Sequence, residues 1–107
     1  MRIIFDQGTP HPLRRSLSDH DVSTVYELGW STLSNGELLS VVEESGFEVL
    51  VTTDTNLKHQ QRLTDRRFGI VVLLSTSWPR IERVIPSVMA AITGSTPGSY
   101  AEVGIRE

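Results

Sequence analysis

Three stretches of this chain are unbroken apolar runs: Ile3-Ile4-Phe5 near the start, Val49-Leu50-Val51 near the middle, and Ile70-Val71-Val72-Leu73-Leu74 beyond it. A parallel strand reads this way when helices cover both of its faces. Elsewhere the apolar residues recur at helical spacing, most clearly as Ile81, Val84, Ile85, Val88, Met89 and Ile92. Strand and helix patterns alternate, which predicts an α/β domain. Its core would be a central, mainly parallel sheet of four to five strands in a three-layer α/β/α arrangement.

The residues between these patterns set the boundaries. Thr9 is placed to cap a helix that starts at Pro10 and buries Leu13 and Leu17, since proline is tolerated where the first N–H has no partner anyway. Residues 21–26 read as a short second strand and 29–33 as a loop. Ser34-Asn35-Gly36-Glu37 has the spacing of a capping box, in which serine and glutamate each satisfy the other's end of the first turn. That helix runs through Leu38, Leu39, Val41 and Val42, and Gly46 can end it in the left-handed conformation. Thr53, Asp54 or Thr55 can each cap a helix over 56–63. Pro86 should kink or divide the helix after Ser77. Residues 94–99 form a loop, and 100–105 either a last strand or a frayed end.

At 107 residues and 38% apolar content, the chain is long enough for one core without staples. We place a single domain over 1–93, with 94–107 as a loop and short C-terminal strand or tail. There is no cysteine, so disulfides, thiolate catalysis and cysteine-ligated zinc are excluded. No run approaches the ~20 apolar residues that span a bilayer, and no secretory leader pattern opens the chain; a soluble cytoplasmic protein with no membrane contact is expected. The formal charge of −3 argues against a general nucleic-acid coat but leaves room for a local basic stripe. Lys58, Arg62 and Arg66 recur every four residues, so a helix through them would present one basic face beside Asp54.

Candidate chemistry follows from where the strands end. Asp6 closes the first strand and Asp54 follows the third; in a parallel sheet both would stand at the carboxyl edge, where open α/β folds bind ligands. Two neighbouring carboxylates repel unless a cation or a shared proton lies between them. Asp54 sits among Thr52, Thr53, Thr55 and Asn56, more side-chain oxygens than one helix cap needs. Such oxygens suit magnesium or manganese. Each acid also has a plainer role: Asp6 as a turn residue, Asp54 as a cap, Glu37 as the acid of the capping box. Lys58, Arg62 and Arg14 can hold phosphates or simply face solvent. Trp30 and Trp78 can stack on a base or complete packing, and His11, His20 and His59 show no zinc spacing. Neither a P-loop nor a dinucleotide fingerprint is present.

With the acids placed, residues 1–75 resemble the PIN-like superfamily, and within it the small DUF5615-type proteins of toxin and antitoxin loci. That family opens with a strand ending in Asp-Glu-x-x-Pro, here Asp6-Gln7-Gly8-Thr9-Pro10. It has a Ser-Asp-x-Glu-like helix start, here Ser34-Asn35-Gly36-Glu37, and a Thr-x-Asp-x-Asp segment after strand three, here Thr52-Thr53-Asp54-Thr55-Asn56. The resemblance implies a PIN-like fold and magnesium- or manganese-dependent cleavage of RNA. Asp6, Asp54 and Glu37 would be catalytic and metal-binding, with Asn56 a further metal ligand. Asn35, Lys58, Arg62 and Arg14 would contact substrate. Gln7, Asn35 and Asn56 stand where the family has acids, so one ion is expected rather than two.

Two other classes fit the same residues. A degenerate PIN-like module would bind RNA or protein without cutting, which the acid-to-amide changes favour. A receiver-like phosphoacceptor would use Asp6, Asp54 and a hydroxyl at Ser75 or Thr76, though Gln7 replaces its second acid and Lys58 is the only lysine. The partners compatible with these readings are RNA, a cognate antitoxin or other protein, and a second copy of the chain.

Overall fold

The apolar runs become strands whose side chains point alternately to the two faces of one sheet. In a computed structural model that describes residues 1–105, the strands are β1 (Arg2–Phe5), β2 (Asp21–Thr24), β3 (Val49–Thr52), β4 (Gly69–Leu73) and β5 (Tyr100–Val103). They form a five-stranded, all-parallel sheet in the order β2-β1-β3-β4-β5. Ile3, Phe5, Val49, Val51, Val71 and Leu73 face one core. Ile4, Leu50, Ile70 and Val72 face the other. An unbroken run is required because both faces are covered.

A 3₁₀ helix (His11–Leu17) and the helices numbered here α3 (Trp78–Glu82) and α4 (Ile85–Thr93) close the first core, through Leu13, Leu17, Ile81, Val88 and Ile92. On the opposite face lie α1 (Asn35–Glu44), through Leu38, Leu39 and Val42, and α2 (Leu57–Gln60), through Leu57. The expected α/β layering, helices on both sides of a parallel sheet, is therefore present. No helix among the described residues is long and apolar enough to cross a membrane.

Local signals of short reach came through intact. Ser34 Oγ accepts from Glu37 N while Glu37 Oε1 accepts from Ser34 N, completing the capping box of α1. Gly46 follows that helix with φ of 77°, a conformation costly for any residue with a Cβ. Pro86 divides the last helical stretch: α3 ends at Glu82, Val84 leaves helical geometry, and α4 restarts at Ile85 with Pro86 in its first turn. Residues 100–103 are a true strand, paired in parallel with β4.

Two expectations need correction. Thr9 does not cap the first helix. Pro10 holds that position with extended backbone and no side-chain cap bond, and the Thr9 hydroxyl instead donates to the Val51 carbonyl at 3.0 Å. The helix over 56–63 stops at Gln60, because Gln61 is already extended at φ −135°, ψ 147°. The basic stripe therefore does not form. Arg62 lies beyond the helix and meets Asp65 at 3.5 Å, and Arg66 meets Glu43 at 3.5 Å.

Candidate functional site

In the order β2-β1-β3-β4-β5 the chain leaves β1 toward one edge and crosses back to build the other half. The carboxyl ends of β1 and β3 thus flank the topological switch point, the crevice where doubly wound sheets bind ligands. Asp6 follows β1 and Asp54 follows β3 by two residues. The same strand order serves many functions, so the chemistry must be read from the side chains.

Asp6 is half-buried and held from two sides. Its Oδ2 accepts from the Thr52 hydroxyl at 2.9 Å and its Oδ1 from the Gln7 N–H at 2.8 Å. Both bonds favour the charged form. Burial outweighs them and, with the nearby Asp54 charge adding to it, lifts the Asp6 carboxyl above its ordinary range. Thr52 is the one fully buried polar residue of the strand core; its oxygen also accepts from Asp54 N at 3.1 Å. One hydroxyl therefore links the two aspartates. Asp54 Oδ1 in turn accepts from Asn56 N at 2.9 Å, a local turn that aims the carboxylate.

The loops bearing the two acids also touch. Gly8 has φ of 87°, and a Cβ there would come within 2.7 Å of Thr53 Oγ1. Asp6 N and Thr9 Oγ1 both donate to the Val51 carbonyl. The exit of β1 is thereby fastened to the exit of β3.

The remaining candidate residues lie apart from this pair or are engaged elsewhere. Glu37 is exposed, and its Oε1 accepts from both N and Oγ of Ser34; those bonds hold its carboxyl below the ordinary range. No three acidic, histidine or cysteine side chains gather into a metal-holding group among the described residues. Asn35 donates to Gln60 Oε1 at 2.7 Å, joining the start of α1 to the end of α2. The Asn56 side chain makes no cap bond. Lys58 pairs with Glu102 at 2.8 Å. Arg14 pairs with Glu27 at 2.9 Å and donates to the Val22 carbonyl at 2.6 Å. Trp30 stacks edge-on against Phe47, ring centroids 6.2 Å apart, and Trp78 packs on the first core. Both tryptophans serve packing.

Three features of the site escape the local sequence pattern. The bridging role of Thr52 is one, since the sequence shows it only as a polar residue ending a buried run. The second is a cluster: Tyr100 donates to Glu102 Oε2 at 2.7 Å, and Lys58 bonds the same oxygen while lying 5.7 Å from the centre of the Tyr100 ring. Burial first, then Glu102 and Asp54, push the Tyr100 hydroxyl up to about 12. Tyr100 and Glu102 share one face of β5, two residues apart, and Lys58 reaches them from α2 across 44 positions of sequence. The third feature is a cleft of about 240 Å³ on the β2 side of Asp6, lined in part by Gln7, Gly8, His11, Thr24 and Tyr26.

The donor set at the switch point is oxygen only, from two carboxylates and a hydroxyl. That suits one hard divalent cation, whose charge would relieve both the burial of Asp6 and its repulsion from Asp54. No protein-family model, curated protein or solved structure matches the chain.

Proposed function

We propose that the chain is a PIN-like domain whose Asp6 and Asp54 hold one magnesium or manganese ion and which cleaves RNA phosphodiester bonds. One observation carries the reading: at the β1/β3 switch point the Thr52 hydroxyl binds the Asp6 carboxylate and the Asp54 backbone N–H, which keeps the two acids close enough for the Asp54 charge to raise the Asp6 pKa. A divalent ion held by Asp6 and Asp54 would supply Lewis-acid polarisation of a phosphoryl oxygen. Thr52 and the Gln7 amide orient Asp6, and Asn56 N orients Asp54. Lys58, four residues after Asp54, reaches a phosphate by leaving Glu102. Arg14, Arg62 and Asn35 take part only after giving up the partners described above. A toxin role, with a cognate antitoxin, a second copy of the chain and a cytoplasmic setting, belongs to the same reading.

Cleavage of mixed RNAs by purified protein with manganese, abolished by Asp6→Ala, is the expected result. RNAs left intact by the wild-type protein overturn nuclease activity. In that event the binding module is the better reading, and the Glu37 bonds to Ser34 favour it, since they occupy the third acid. Calorimetric titration separates the two, because a module that only binds its partner takes up no manganese at millimolar concentration.

A further inference from the structure

Resting on the RNA reading, the geometry points to a nucleobase subsite beside the phosphate site: the cleft between Tyr26 and His11, with Tyr26 as the stacking platform and Gln7 as the polar edge. Tyr26 is 81% exposed, the most exposed large apolar side chain of the described residues. Its backbone is fixed by the turn after β2, where Gly29 N donates to the Tyr26 carbonyl at 3.1 Å and Val25 N to the Phe5 carbonyl at 2.9 Å. An aromatic ring left in water on a fixed turn has no packing role to explain it.

Asp6 lines the same cleft. Sites for drug-sized ligands begin at about 300 Å³, so 240 Å³ accommodates a single ring system with its sugar and phosphate outside. That places the phosphate toward Asp6 and the switch point. The electrostatics suit an uncharged base. Glu27 also lines the cleft, but Arg14 holds it ionised and paired, and its Oε1 also accepts from Thr24 N at 2.9 Å. A second anion would meet Asp6 and Glu27; a neutral base meets an aromatic face and the Gln7 amide. Gln7, exposed at the rim, offers a donor and an acceptor to a base edge.

Stacking on an exposed aromatic is sequence-tolerant and weakens on alanine substitution by roughly 5- to 100-fold in affinity. The test is fluorescence anisotropy of a labelled single-stranded RNA decamer, read on the Asp6→Asn background so that cleavage does not intervene. Tyr26→Ala should weaken binding by about tenfold, Tyr26→Phe and Tyr26→Trp should retain it, and an abasic decamer should be insensitive to all three changes. If the decamer binds Asp6→Asn and Tyr26→Ala leaves its affinity unchanged, the subsite is overturned while the RNA reading stands. If neither Asp6→Asn nor the wild-type protein with EDTA binds the decamer, the RNA reading and the subsite fall together.

Discussion

Asp6 is the residue on which the site turns, because its environment works against its charge. The Thr52 and Gln7 bonds stabilise the carboxylate, yet burial wins and the pKa rises. The folded chain therefore holds the Asp6 proton more tightly than the unfolded chain does. Stability from this difference is fully present below the unfolded carboxylate range and is lost as pH rises through the raised folded value. Asp6→Asn cannot ionise, so it should be more stable than the wild-type protein at neutral pH, with the gap closing in acid. Urea unfolding at both pH values measures it, and a variant no more stable at neutral pH would contradict the raised pKa. Asp6 and Asp54 are legible as strand-end acids because they sit one and three residues past an apolar run. Thr52, which joins them, was visible only as a polar letter. Its role depends on the pairing of Ile3, Ile4 and Phe5 with Val49, Leu50 and Val51, which no local pattern encodes.

At the scale of elements, features fixed within four residues could be read and features fixed across the sheet could not. The capping box of α1 and the break at Pro86 follow from steric and hydrogen-bond rules of one turn. The helix after Asp54 was overextended because Lys58, Arg62 and Arg66 have helical spacing, whereas the backbone turns extended at Gln61 and the arginines answer to Asp65 and Glu43. Glu37 illustrates how the two roles of one residue can be told apart. As a cap it should tolerate Glu37→Gln, since glutamine serves the same box. Ser34→Ala should cost about 1 kcal/mol, typical of a lost cap. Thermal unfolding and manganese titration on both variants decide it: loss of metal affinity in Glu37→Gln without loss of stability would restore Glu37 as a ligand.

Across the whole molecule many of the cations are paired: Arg14 with Glu27, Lys58 with Glu102, Arg66 and Arg67 with Glu43. A net charge of −3 and such pairing leave few cations for phosphates. RNA affinity should therefore depend weakly on salt, with a log–log slope of roughly −1, the value for one or two phosphates on a single strand; a slope several times steeper would reveal a basic surface not described above. The class of fold could be inferred from alternating patterns, but not this distribution of charge, because each pair joins segments distant in sequence. The Lys58 pair has a consequence during synthesis as well. Its partner Glu102 lies on β5, the last of these five strands to be synthesised, and parallel strands pair only after their crossover is made. Until then a nascent chain carries Asp6, Asp54 and an unrestrained Lys58, so β5 acts as a late clasp that both joins the sheet beside β4 and engages Lys58.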